Sequence, residues 1–431
     1  MLDIQYIRDN ASEVKRAVTR KSLDCDIDTL LLLDAKKNTL QKELDDIRAQ
    51  KNELNTKMKG KKPTDEQLEE GKNIKQETQA IEAKFKEVED QFFVLMYQVP
   101  NVISEDTPEG KDEEENLVLR TFGEKPEFDF TPKNHMDVCG KNIDTQKAAQ
   151  ISGSRFNYLF GDVALLQFAL IDFVMQTLTD TKIISTLAKK VGSGSEKPFI
   201  PAITPVMCRD EVMKKMDRFD PIDDRYYFEK DNILLVGSAE HTLGPLHMDE
   251  IIKEEDLPIR YIGYSTSFRR EAGTYGKDTS GILRRHQFDK LEMECFTTPE
   301  QGLVEQELLV AIQEYLVQQL GIHHQVVLKC TGDMGGKADF RAIDIECWIP
   351  SQNTFRETHT ADYMTDFQAR RLNTRYVRTG TKEKNFVHMN DATAFGIGRI
   401  LIAIIENFQQ KDGSIVIPKV LQPYMRKEKM V

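Results

Sequence analysis

Phe268-Arg-Arg-Glu-Ala-Gly-Thr-Tyr-Gly-Lys-Asp-Thr-Ser-Gly-Ile-Leu-Arg-Arg-His-Gln-Phe-Asp-Lys-Leu-Glu-Met293 carries more chemistry than any other stretch of the chain. An aromatic-Arg-x-Glu block closes one extended run. A polar, glycine-rich loop follows, then Arg284-x-His286-x-Phe288 and a second extended run bearing Glu292. Two such runs joined by a loop predict adjacent antiparallel strands. They place two arginines, an aromatic face and a carboxylate around a loop that can close. Arginines neutralise and orient phosphate, an aromatic ring stacks on a purine, and a carboxylate anchors an amine. The same residues also suit a charged hairpin with surface ion pairs, and the stretch alone leaves both readings open.

Outward from this hairpin, helical runs (Phe160 to Leu187, Gln301 to Leu320) alternate irregularly with short β-branched or aromatic runs. The latter are Pro198 to Val206, Ile233 to Val236, Tyr261 to Tyr264, Lys290 to Phe296, Gln325 to Lys329 and Ala342 to Ile349. Several follow one another without an intervening helix, which predicts an α+β domain on a mainly antiparallel sheet rather than a doubly wound parallel one. Two nucleotide motifs fail. Gly332 to Lys337 lacks the P-loop gap and its Ser/Thr, and Gly396-Ile-Gly398-Arg399 lacks the third glycine of a dinucleotide turn.

The first hundred residues read differently. Leu30, Leu33, Lys37, Leu40, Leu44, Ile47, Lys51, Leu54 and Met58 recur at spacings of three and four. Gln67, Gly71, Ile74, Thr78, Ile81, Phe85, Val88, Phe92, Leu95 and Val99 repeat the pattern. Each ladder predicts a long helix with one packing seam. Gly60 can end the first, Thr64 with Gln67 can cap the second, and Pro100 stops it. The short turn makes an antiparallel coiled-coil arm, about 27–100. Its tip is basic, with Lys51, Lys57, Lys59, Lys61 and Lys62 against Glu53. A solvated spacer or dimerisation hairpin and an RNA-gripping arm both fit this pattern. The expected organisation is an N-terminal domain over 1–100, a Pro-, Gly- and acid-rich linker over 101–133, and a second domain over 134–431.

The chain has 431 residues and a net charge of −12, so it is no generic polyanion binder, and a nucleic-acid partner needs a local basic patch. Hydrophobic residues are 39% and charged residues 30%, which excludes a disordered or collagen-like chain. The six cysteines lie far apart with no CxxC pair, so reduced cytosolic thiols are expected, and no secretory signal or membrane span is visible. The histidines His241, His247, His286 and His359 have no metal spacing.

Taken together, the blocks resemble the seryl-tRNA synthetases of the bacterial type, class II aminoacyl-tRNA synthetases, over essentially the whole chain. The quoted hairpin is similar to the family's motif 2, and Pro201 to Asp210 stands where motif 1 of a dimer interface is expected. Thr393 to Gln410 is similar to motif 3. Cys330 to Gly335, Ile343 to Glu346, Asn353 to Thr358 and Asp366 to Arg371 are similar to further signature blocks. The segment Gly192 to Phe228 matches poorly.

The resemblance implies a class II catalytic domain behind a tRNA-binding arm. It also implies a cytoplasmic homodimer that uses ATP and Mg²⁺ to join serine to tRNA(Ser), without DNA or membrane partners, and leaves tRNA(Sec) open. It assigns Arg269, Arg399 and Glu357 to catalysis. ATP would meet Arg269, Arg270, Glu271, Arg284, Phe288, Glu357, Thr358, His359, Thr360 and Arg399. Serine would meet Ser238, Ala239, Glu240, Arg269, Glu292 and Thr393. Glu357 and Thr360 would hold the metal, and the five tip lysines the tRNA. A catalytically altered paralogue acting as an RNA-binding or regulatory protein is the alternative, motivated by the family's Thr-x-Glu standing here as Ser238-Ala-Glu240.

Overall fold

The two ladders fold as 32-residue helices, α1 (Ile27–Met58) and α2 (Asp65–Met96), each about 48 Å long at 1.5 Å per residue. Asp26 caps the first. Thr64 and Gln67 form the expected reciprocal box on the second, with N···O distances of 3.0 and 3.3 Å. Gly60 takes a φ of +77°, the left-handed turn that ends the first helix. Leu40, Leu44, Ile47, Leu54, Ile74, Val88 and Phe92 bury along the seam. One polar member of the ladders is accounted for: Lys37 lies 4.1 Å over the Phe92 ring. Toward the tip the seam stays packed, with Ile47, Leu54 and Ile74 clustered and Met58 and Ile81 against them, while Lys51, Lys57, Lys59 and Lys62 are exposed.

The computed structural model describes residues 1–60, 62–272 and 281–430, in two units, Met1–Val102 and Ile103–Val431. Lys61, residues 273–280 and Val431 lie outside the described residues.

The second unit is built on one sheet. Its strands are β1 (Leu117–Phe122), β2 (Ile200–Ile203), β3 (Ile259–Phe268), β4 (Gln287–Thr297), β5 (His324–Leu328), β6 (Arg341–Ile349), β7 (Thr354–Tyr363) and β8 (His388–Gly396). Among the described residues their order is β1-β5-β6-β7-β8-β4-β3-β2, antiparallel throughout except for the β2–β3 pair. The stretch expected as a linker thus carries an outer strand of this sheet. The helical run from Phe160 breaks into α3 (Gly161–Thr179) and α4 (Thr181–Val191), because Asp180 caps the second by accepting from the Lys182 and Ile183 amides. Helices α5 (Gly302–Leu320) and α6 (Ile397–Asn407) pack on one face of the sheet.

Period-two alternation sends Leu291, Met293, Cys295, Ile343, Ile345 and Ala392 into that apolar layer. The opposite face carries Phe288, Lys290, Glu292, Asp344, Thr360 and Asp391, so polarity sorts by face. Among the described residues, α3 is the one helix long and apolar enough to cross a bilayer; its Leu166, Leu170 and Leu178 sit in the core.

Candidate active site

The polar face of the sheet forms the wall of a cavity of about 340 Å³. Two strand irregularities build it. On β7, Glu346 pairs with Glu357 while Ile345 pairs with His359, so Thr358 is an extra residue. In a regular strand residues three apart face opposite ways; the bulge brings Glu357 and Thr360 to one side, 3.4 Å apart. On β8, Glu292 pairs with Thr393 and Leu291 with Phe395, so Ala394 is the extra residue. Strands β7 and β8 pair over only three residues before they diverge. At this fork Gln313 of α5 donates to the carbonyls of Thr360 and Thr393 (2.9 and 2.8 Å), satisfying acceptors that the ladder leaves open.

At one end of the cavity arginines gather. Arg269 follows β3 and donates through Nε to Gly237 O (3.2 Å), with its guanidinium 5.4 Å from the Phe288 ring centroid. Arg284 pairs with Glu271 at 3.1 Å, and Glu271 takes a φ of +52°. Arg399, in the first turn of α6, donates to Glu357 Oε1 (2.9 Å) and to the Glu357 carbonyl (2.8 Å). Loss of solvent would raise the Glu357 carboxyl, but the charges of Arg399, Lys329 and Arg269 outweigh it and hold it down to about 2.

At the other end carboxylates gather. Glu292 accepts from Ser238 Oγ (3.0 Å), Thr393 Oγ1 (3.2 Å) and Lys290 Nζ (2.7 Å). Glu240 pairs with Arg218 at 2.8 Å. Burial works against the charged Glu240, yet Arg218 and His241 hold it well below the usual carboxylate range. Glu294 and Asp391, both buried, are pushed well above that range, Glu294 by burial and then by Asp391 and Glu240.

Most of the expected residues therefore converge. Arg269, Glu271, Arg284, Phe288, Glu357, Thr358, Thr360 and Arg399 line the cavity, as do Glu240, Glu292 and Thr393. Ser238 reaches it through Glu292. Three are placed elsewhere. His359 points to the apolar face, its ring 5.5 Å from that of Phe395, because the bulge that turns Glu357 and Thr360 inward leaves His359 on the other side. Arg270 is exposed and lies over Tyr226 at 5.9 Å. Ala239 is buried, and its methyl packs near Gly263.

The structure adds Arg218, Lys290, Lys329 and Asp391 to the lining. Alternation from Glu292 along β4 could have found Lys290, whereas nothing local in sequence marks Arg218. A carboxylate and a hydroxyl at Glu357 and Thr360 make a hard-oxygen donor set that fits Mg²⁺.

Residues 1–103 match the profile of the Seryl-tRNA synthetase N-terminal domain, and residues 226–408 that of the tRNA synthetase class II core domain (G, H, P, S and T). A serine--tRNA ligase of Dictyoglomus turgidum is 38% identical over 99% of this chain and 98% of its own length. A seryl-tRNA synthetase from Pyrococcus horikoshii, solved with ATP, superposes with a TM-score of 0.89 at 33% identity, over 100% and 99% of the two chains. A cytoplasmic serine-tRNA ligase from Naegleria fowleri, solved with AMP, does so at 0.84 and 27%, over 100% and 98%. With the helical arm, the antiparallel sheet and the paired arginine and carboxylate ends of one cavity, the chain belongs to the seryl-tRNA synthetase family.

Proposed function

We propose that the chain is a serine--tRNA ligase that activates serine with ATP and passes it to tRNA. The observation that carries this reading is the single cavity with Arg269, Arg284 and Arg399 at one end and the Ser238–Glu292–Thr393 cluster at the other. In the first step the serine carboxylate oxygen attacks the α-phosphorus. An O–P bond forms, the bond to the bridging oxygen breaks, and pyrophosphate leaves with its electron pair. The nucleophile is already ionised, so the protein's part is positioning and charge neutralisation. In the second step a ribose hydroxyl at the tRNA 3′ end attacks the carbonyl and AMP leaves.

Arg269 bridges the carboxylate and the α-phosphate, while Arg284 and Arg399 take the outer phosphates. Phe288 stacks the purine, with Glu271 near its amine. Glu357 and Thr360 would hold Mg²⁺, which would supply charge neutralisation for the phosphates. Glu240 takes the α-ammonium. Glu292, already pre-ordered by Ser238 and Thr393, accepts the serine hydroxyl. A site built around that hydroxyl rejects alanine, which would leave a buried acceptor unpaired.

The arm's exposed lysines support an RNA-gripping role. Ile200 and Ile203 on the outer strand β2 are 52% and 88% exposed, and Leu165 and Phe168 of α3 are exposed too, which supports a homodimer along this edge of the sheet. The need for ATP and tRNA together supports a cytoplasmic enzyme, and neither DNA nor a membrane enters the proposed reaction. Serine-dependent ATP–pyrophosphate exchange tests the reading. Exchange with serine is expected, and exchange with a different amino acid in its place would overturn it.

A further inference from the structure

Arg218 lies in the segment 192–228, where the family resemblance is poor, and outside the stretch matched by the class II core profile. Yet it reaches the floor of the amino-acid end. Acceptor oxygens of Glu240, Glu292 and Asp391 there lie within 4.8 Å of one another, all buried. Arg218 donates through Nε to Glu240 Oε1 (2.8 Å) and through Nη2 to Asp391 Oδ2 (3.3 Å), with its side chain only 14% exposed.

The loop that presents it is pinned. Gln368 donates to Met216 O (2.9 Å), Arg371 and Lys337 pair with Asp217 (3.2 and 3.0 Å), and Arg225 donates to Arg218 O (3.0 Å). On Glu240, Arg218 and the 3.5 Å approach of His241 both fall on Oε1; Oε2 has no hydrogen-bond partner among the described residues. The other charged groups facing Glu240 are Lys290, Glu292 and Glu294 of β4, Asp391 of β8 and Arg225. Lys290 is spent on Glu292.

We infer that Arg218 is a positioning residue for the amino-acid substrate: by clamping Glu240 Oε1 and Asp391 Oδ2 it keeps both carboxylates apart and leaves Glu240 Oε2 as the acceptor for the α-ammonium. This rests on the serine-activation reading above. Without the guanidinium, the buried Asp391 carboxyl, which burial and Glu240 already favour in its protonated form, is free to turn and donate that proton to Glu240, which closes the acceptor against the amine. Removing the Asp391 carboxyl altogether takes away that competing donor and reopens it.

The test is steady-state exchange on the full chain. Arg218→Met is expected to raise the serine KM by about 30-fold, the effect of one misplaced buried charge partner, while the ATP KM stays within about threefold. Arg218→Lys restores most of the loss, and adding Asp391→Ala, which leaves neither a proton nor an N–H to donate to Glu240, to Arg218→Met recovers about tenfold. Serine and ATP KM rising together, a fall in kcat alone, or no recovery from Asp391→Ala would overturn the inference. If Arg218→Met melts below the assay temperature, Arg218→Lys decides. It should bind seryl-sulfamoyl-adenosine more weakly than the parent chain does, with unchanged affinity for the 3-hydroxypropanoyl counterpart that lacks the amine; equal losses would sink the idea. No serine-dependent exchange by the unaltered chain would instead remove the serine reading itself.

Discussion

Glu292 is held on three sides, by Ser238, Thr393 and Lys290, before any substrate arrives. Its replacement should therefore act on serine rather than on ATP. Glu292→Ala is expected to raise the serine KM by about 100-fold and leave the ATP KM nearly unchanged, in exchange assays at varied serine and varied ATP. His241 and His359 make a second prediction. Burial is the main cause for both and lowers them from 6.5 to about 4 and about 3. In the unfolded chain each takes a proton near 6.5, so the unfolded state binds more protons between there and the folded value. Stability from these groups is intact above 6.5 and is lost as pH falls toward 4, by about 2 kcal/mol per histidine at pH 5. Thermal melts from pH 8 to 5 should fall, and His359→Leu should fall less steeply.

The bulges on β7 and β8 and the fork between these strands set the spacing of the site. Gln313→Leu leaves the Thr360 and Thr393 carbonyls without a donor. It should cost about 2 kcal/mol by denaturant melts and lower the exchange rate, because the fork loses its spacer. Neither β7 nor β8 was legible as a strand. The apolar alternation that marks the other strands is replaced by Glu357, Thr360, Asp362 and Asp391, residues placed there for the cavity. The arm was legible to within a few residues, because a 3/4 spacing and a capping box are local signals. Deleting Asp34 to Gln91 should abolish tRNA charging and spare serine-dependent exchange; charging that persists would show that the tip lysines do not grip RNA.

Across the whole molecule the net charge is −12, yet the arm tip is locally basic. Phosphate contact there releases counterions whatever the distant acids do, so tRNA affinity should fall at least about tenfold between roughly 50 and 200 mM salt. Filter binding or fluorescence titration at several salt concentrations checks this, and a flat response would remove the lysine contacts.

What this chain's sequence determined by itself was whatever depends on neighbours along the chain: the two long helices with their caps, the strand–loop–strand hairpin with Arg269, Arg284 and Phe288, and the order of the blocks that carry the family resemblance. Only the tertiary structure decided that Glu357 faces the cavity while His359 faces the core, and that Arg218, in an otherwise unremarked loop, reaches Glu240 and Asp391. The first turns on a one-residue bulge and the second on packing between residues far apart in the chain. Side-chain direction and long-range ion pairing are properties of the folded sheet, and local pattern does not encode them.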